Sequence, residues 1–260
     1  MSTTAYTVTG PGGDVPVAVT ERGAGRPVLL LHGGAGPDSV TGFAELLAAR
    51  FPVRVLTPVH PGFGGTERPD SLGSVRDLAG VYARLLEQLG LTGVTVAGSS
   101  IGGWIAAELT LTAPSRVGAL VLIDGVGIDS AAHPVTDFFA LTPDEVAARS
   151  WAHPEGHSID VASMTEAQRA VFAGNRAALA AYAGQAMADP SLIARLGAVT
   201  VPTLVIWGEA DRIVTPDYGK EYAAAIPGAS FRVVPDAGHL PQLEAPEATL
   251  AALGSFAGGA

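Results

Sequence analysis

The chain has 260 residues, of which 48% are hydrophobic and 15% charged, and its formal net charge is −10. That length suits one domain with room for an inserted subdomain, and an acidic surface argues against nucleic acid or an anionic membrane as partner. The absence of cysteine excludes disulfides, a thiolate nucleophile and a cysteine-ligated metal.

Met1 to Gly10 shows neither a basic start nor an apolar stretch of the secretory kind, and no apolar run approaches the ~20 residues of a membrane span, so a soluble, cytoplasmic protein is expected. Tyr6-Thr7-Val8 and Val15 to Val19 alternate at period two around a Gly/Pro-rich turn at 10–14, which predicts an antiparallel hairpin at a sheet edge, where Pro16 is tolerable. Val28 to Leu31 is continuously apolar, as a strand buried on both faces must be. It runs into His32-Gly33-Gly34-Ala35-Gly36-Pro37, where glycines let the backbone approach a ligand closely and His32 is expected to shape the loop by hydrogen bonding. Asp38 is positioned to cap a helix through Phe43, Leu46 and Leu47. Val53 to Thr57 reads as the next strand, Pro58 to Thr66 as irregular chain, and Ser74 to Gly90 as an amphipathic helix.

Val94-Thr95-Val96-Ala97-Gly98-Ser99-Ser100-Ile101-Gly102-Gly103 stops abruptly in small residues, and a helical pattern follows from Trp104 to Leu109. Gly98 and Gly102 flank Ser100 at the G-x-S-x-G spacing of a strand–turn–helix nucleophile elbow. A side chain at either glycine would collide with the neighbouring element, and the turn leaves the Ile101 N–H at the positive end of a helix. Another buried strand lies within 115–124. Strands alternating with helices predict a mostly parallel, doubly wound α/β sheet with its chemistry at the carboxyl ends of the strands.

Between Gly127 and Gly197 the strand runs vanish and short amphipathic segments replace them, which predicts an all-helical insertion covering the strand ends. The domain reading is therefore a core of residues 1–126 and 198–260 with a helical cap at 127–197. Phe138, Phe139, Trp151, Phe172, Tyr182 and Met187 are candidates to line a pocket beneath it. Asn175 and Arg176 either reach a substrate or sit in solvent. His133, His153 and His157 lack ligand spacing, so no metal is expected. Strand-like Thr203 to Gly208 leads to Asp211, helix 217–226 follows, and strand 231–234 leads to His239 in a Gly/Pro loop. A helix opening at Glu244 to Glu247 closes the chain before a loose Gly-Gly-Ala tail.

A serine hydroxyl needs a base within hydrogen-bond reach, and the base needs an orienting acid. Ser100, Asp211 and His239 each follow a strand, in the chain order that accompanies an elbow serine. With His32-Gly33-Gly34-Ala35-Gly36, Pro61-Gly62-Phe63-Gly64, the elbow, Gly208-Glu209-Ala210-Asp211 and Gly238-His239, the chain resembles the α/β-hydrolase superfamily over nearly its whole length. The resemblance implies the α/β-hydrolase fold, Ser100 as nucleophile, His239 as base, Asp211 as acid, and the N–H groups of Gly34 and Ile101 as the oxyanion hole, with no cofactor. Some relatives carry the acid after the preceding strand, which keeps Asp124 in reserve.

Relatives that cleave carbon–carbon bonds in ring-cleavage products often carry Asn before the serine and an aromatic after the histidine, where this chain has Ser99 and Leu240. The expected activity is cleavage of a small carboxylic ester or related acyl compound. Carbon–carbon hydrolysis and perhydrolysis stay open, as do acyl transfer and simple ligand binding. A small molecule is the expected partner, and oligomeric state is left undetermined.

Overall fold

Apolar runs too short for helices, and too continuous for a half-exposed sheet, become the inner strands of one sheet. The computed structural model describes residues 1–10, 12–254 and 256, so Pro11 of the hairpin turn and the Gly-Gly-Ala tail lie outside the described residues. Eight strands pair in the order β1 (Ser2–Gly10), β2 (Gly13–Gly23), β4 (Val53–Pro58), β3 (Arg26–Leu31), β5 (Val94–Ser99), β6 (Val117–Ile123), β9 (Thr203–Gly208) and β10 (Ser230–Val234). The β1–β2 and β2–β4 pairs are antiparallel and the remaining pairs are parallel. The predicted hairpin thus forms the sheet edge. Pro16 pairs with Thr7 outside the Val19–Gly23 stretch that meets β4, so its missing N–H breaks no ladder there.

Helices cover both faces because side chains alternate across each strand. On β3, Leu29 and Leu31 join the core under α2 (Val75–Gln88), α3 (Ile101–Thr112) and α7 (Pro216–Ala224). Val28 and Leu30 point the other way, into the core under α1 (Asp38–Arg50) and α9 (Pro246–Leu253), with the short α8 (Pro241–Glu244) between α1 and α9. Ser74 caps α2 through its side chain, accepting from the Asp77 N–H. Asp38 does not cap α1. The cap position is Pro37, whose fixed φ already suits a helix, and Asp38 lies in the first turn, where its charge faces the positive helix end.

Between β6 and β9 lie α4 (Pro143–Ser150), α5 (Glu166–Ala183) and α6 (Leu192–Arg195), with 3₁₀ turns at Phe138–Ala140 and Leu196–Ala198. The α4 and α5 starts carry reciprocal capping boxes, Thr142 with Glu145 and Thr165 with Gln168, which fix where the two helices begin. The segment is not all helical. β7 (Gly127–Ile128) pairs in parallel with β8 (Ala188–Asp189), closing the segment's two ends on each other. Beside this closure, Arg195 makes two bonds to the carboxylate of Glu108 and also reaches Asp189, anchoring the segment to α3.

The parallel register brings every functional strand end to one rim. Ser99 stands opposite Ile123, Ile123 opposite Ile206, and Val234 opposite Gly208, so Ser100, Asp124, Asp211 and His239 all emerge together. The order reverses between β3 and β5, the place where a crevice opens in such sheets. Leu30 is fully buried at the centre of this frame. Leu30→Ala is expected to cost about 3 kcal/mol through lost burial and a residual cavity, read as a lower urea midpoint at unchanged slope.

Candidate active site

The turn after β5 is shaped by what its glycines exclude. A Cβ on Gly98 would lie 2.1 Å from the Gly102 carbonyl oxygen, and one on Gly102 would lie 2.4 Å from that of Leu31. So compressed, the turn forces Ser100 to φ 55° and ψ −119°, which costs of order 1–3 kcal/mol. The Ser100 N–H donates to the Ile123 carbonyl at 2.9 Å, and α3 starts at the next residue. Four non-glycine residues have positive φ among the described residues: Ser100, Asp124, Met187 and Asp236. Ser100 and Met187 line the cavity described below, Asp124 abuts Asp211, and Asp236 belongs to the loop that carries His239. Among the described residues, these four positions lie in the cavity wall or on the loops that carry Asp124 and His239.

Ser100, His239 and Asp211 form a hydrogen-bonded row. The Ser100 hydroxyl donates to His239 Nε2 at 3.0 Å, and His239 Nδ1–H donates to Asp211 Oδ2 at 2.8 Å. The other Asp211 oxygen accepts from the N–H groups of Ile213 and Val214 at 2.8 and 3.1 Å, which fixes the carboxylate in the plane it needs. Both Asp211 and His239 are buried. An arrangement of this kind can move a proton from the alcohol to the imidazole while the carboxylate holds the ring's tautomer and stabilises the imidazolium. The N–H groups of Gly34 and Ile101 donate to no protein acceptor among the described residues. The reserve acid, Asp124, is fully buried beside Asp211 and accepts from the Gly208 N–H at 2.8 Å. Asp124, Asp211 and His239 each place one oxygen or nitrogen within 4.8 Å of the others.

A cavity of about 510 Å³ opens above Ser100 and His239. Phe138, Trp151, Phe172 and Met187 line it, as expected from the sequence. Phe139 and Tyr182 do not. Tyr182 instead donates its hydroxyl to the Pro61 carbonyl, and Phe139 packs edge-on against Phe138. His157 stacks on Trp151 in the cavity wall, and His153 pairs with Asp236 outside it. Arg176 also lines the wall, with its guanidinium over the Phe138 and Phe139 rings and donating to both their carbonyls. Asn175 serves as a clasp, accepting from the Gly64 N–H and donating to the Ala35 carbonyl, and so binds α5 to two glycine loops.

Two positioning features escaped the sequence reading. The Glu244 carboxylate accepts from the N–H groups of Gly238, Ala152 and His153, so one side chain ties the His239 loop to the segment after α4. The α4 carbonyls of Ser150 and Arg149 accept from the N–H groups of His239 and Arg212. The acidic residue one turn beyond Gly238-His239 was a visible signal for the first. The second uses only backbone and leaves no trace in residue identity.

His32 and His60 are fully buried beside the Gly33–Gly34 loop, their ring centroids 3.8 Å apart and tilted by 32°. His32 donates Nδ1–H to the Gly33 carbonyl and accepts the His60 N–H at Nε2. His60 donates Nε2–H to the His32 carbonyl and accepts the Tyr82 hydroxyl at Nδ1. A second proton on His32 Nε2 would face the His60 N–H. Burial pushes His32 down to about 4, and burial followed by the His32 charge pushes His60 down as well.

Residues 28–253 match the sequence profile of the Alpha/beta hydrolase family. A 2-hydroxy-6-oxononadienedioate/2-hydroxy-6-oxononatrienedioate hydrolase of Cupriavidus pinatubonensis is 31% identical, over 86% of this chain and 84% of that protein. A non-heme bromoperoxidase of Mycobacterium tuberculosis, named putative, is 30% identical over 93% and 97%. The solved structure of a thermophilic esterase from Thermogutta terrifontis, with malate bound, superposes with a TM-score of 0.78 at 26% identity and covers 98% of each chain.

Because an unfolded chain takes up protons near pH 6.5 that these two rings refuse, their contribution to stability is fully present above that pH and is lost as pH drops toward 4. Urea unfolding at pH 7 and pH 4.5 should show this loss, and His32→Asn, which does not titrate, should flatten part of it.

Proposed function

This chain belongs to the alpha/beta hydrolase family, and we propose that it is a serine hydrolase that cleaves a small, largely apolar carboxylic ester through an acyl-enzyme. The observation that carries the proposal is the Ser100 hydroxyl, 3.0 Å from a buried, carboxylate-oriented imidazole, in the wall of a largely apolar cavity. His239 Nε2 takes the Ser100 proton as Oγ attacks the carbonyl carbon. Charge developing on the carbonyl oxygen is received by the N–H groups of Gly34 and Ile101, donors of a kind worth about 3 kcal/mol each in the transition state. The imidazolium then protonates the departing alkoxide. Water enters, loses a proton to His239 and attacks the acyl-enzyme, and the acid leaves with Ser100 restored.

Residues 127–197 act as the cap over a core formed by 1–126 and 198–260. The cap walls are mainly carbon, and the approximately 510 Å³ they enclose suits an acyl and alcohol portion of a few carbons each. Asp211 serves as the acid in preference to Asp124, because it alone of the two bonds the His239 ring.

A second reading, carbon–carbon bond hydrolysis, has a specific observation in its favour, since several relatives are named 2-hydroxy-6-oxononadienedioate/2-hydroxy-6-oxononatrienedioate hydrolases. Two features weigh toward the ester. Ser99 is fully buried and accepts from the Gln242 amide, away from the cavity, and the residue after His239 is Leu240. The bromoperoxidase relative suggests that peroxide can replace water as the second nucleophile on the same acyl-enzyme.

Nitrophenyl butyrate should be hydrolysed with a burst, and a fluorophosphonate should label Ser100. Ser100→Ala should lose about 10⁴-fold or more in kcat with its fold intact by circular dichroism. Full turnover by that variant would sink the proposal, and faster turnover of a ring-cleavage dienoate than of any ester would favour the second reading.

A further inference from the structure

Asp124 has no place in the steps above, yet it sits in costly surroundings. It is fully buried, at positive φ, and directly beside the carboxyl of Asp211, which is itself buried. Two carboxylates this close in a low-dielectric interior do not both ionise, so one of them holds a proton. Hydrogen bonding decides which. Asp211 accepts three N–H donors, from Ile213, Val214 and His239, and all three favour its anion. Asp124 accepts one, from Gly208 at Oδ1, and its Oδ2 has no protein donor although it is buried from solvent. A proton on that oxygen gives it a hydrogen to donate, and the Asp211 carboxylate beside it is an acceptor for that hydrogen.

We infer that Asp124 is a positioning residue that carries its proton at working pH and donates it from Oδ2 to the Asp211 carboxylate, so that the acid behind His239 is a carboxyl–carboxylate pair. This rests on the reading of Asp211 as the acid that orients His239. Burial, then the Asp211 charge, pushes the Asp124 carboxyl well above the ordinary carboxylate range, in keeping with that assignment.

The surroundings supply no competing charge. β5, β6 and β9 carry no ionisable side chain, and neither does α3 from Ile101 to Ala107. Glu108 further along α3 is paired with Arg195. On the loops after β9 and β10, Glu209, Arg212 and Asp236 are exposed, and Arg212 donates to the Trp151 carbonyl. Arg232 on β10 donates to the Ala252 carbonyl. The start of α7 carries Asp217 paired with Lys220. The titratable groups that face Asp124 are thus Asp211 and His239.

The neutral partner has two consequences. It drains charge from Asp211 without adding any, so the carboxylate attracts an imidazolium at His239 less strongly. It also adds a fourth bond that keeps the Asp211 plane fixed.

The test uses Asp124→Asn, whose amide can donate to Asp211 and accept from Gly208, and Asp124→Ala, which can do neither. Infrared difference spectra at pH 8 between wild type and Asp124→Asn should show loss of one protonated-carboxyl C=O band, and the same loss should appear in a Ser100→Ala background. The His239 ring titration, followed by nitrogen NMR, should stay in place in Asp124→Asn and move up by about half a pH unit in Asp124→Ala. The acid limb of kcat/KM should follow it. Asp124→Ala should lose roughly ten-fold in activity, with recovery to within about three-fold in Asp124→Asn.

If no carboxyl band disappears, or if Asp124→Asn moves the His239 titration downward, Asp124 is an ion and the inference is overturned. Should Asp124→Ala fail to fold, the infrared spectrum and the Asp124→Asn titration still decide. Neither needs turnover, so a hydrolase reading that fails with Ser100→Ala leaves them to be judged separately.

Discussion

At Ser100 the chain turns from the centre of the sheet into α3 in a backbone conformation that serine seldom adopts, and the rest of the site is laid out around that turn. Gly98 and Gly102 allow the reversal only because neither carries a Cβ, and Leu31 at the end of β3 closes the third side. Once the turn is fixed, the parallel register does the remaining placement. Asp124 lies one residue beyond the Ser99–Ile123 pair, while Asp211 and His239 follow the ends of β9 and β10. A sheet with one of these strands reversed would send a member of the row to the opposite edge. The strain at Ser100 is offset by burial across two helix-covered faces, the large favourable term in any domain of this size.

Around the turn, buried polar groups are kept neutral or fully bonded instead of being avoided. His32 and His60 interlock with Gly33, Tyr82 and each other, holding the Gly33–Gly34 loop at a fixed height below the cavity. Asp211 is saturated with donors, and Glu244 gathers three N–H groups around the His239 loop. Each network would be expensive if one partner were missing, and each restricts a loop that has no regular secondary structure to stiffen it. The precision of the row therefore comes from its surroundings as much as from the three residues in it.

Much of this was written into the residues. Continuous apolar runs such as Leu29–Leu31 and Leu204–Trp207 announce doubly covered strands, and the glycine spacing around Ser100 announces the turn, because both patterns answer to sterics acting within a few positions. What could not be read depends on partners distant in sequence. Asn175 has the look of a solvated helix residue, yet it bonds Gly64 and Ala35, more than a hundred positions away. Asp38 has the right chemistry for a cap, and Pro37 took the position with its preset dihedral. The short β7–β8 pairing was invisible because two residues carry no periodicity. Tyr182 and Phe139 were equally aromatic candidates for the wall, and only the rotation of α5 and of the 3₁₀ turn decides which rings face the cavity.

The segment between β6 and β9 meets the loops after β9 and β10 through the carbonyls of Arg149 and Ser150, which accept from the N–H groups of Arg212 and His239. Peptide carbonyls are supplied by every amino acid. Side chains along α4 can accordingly be exchanged, reshaping what the cavity admits, without removing the two backbone bonds beneath them. The lining of the cavity and the seating of the His239 loop are thereby separable by substitution, in a family whose members about 30% identical to this chain bear such different names.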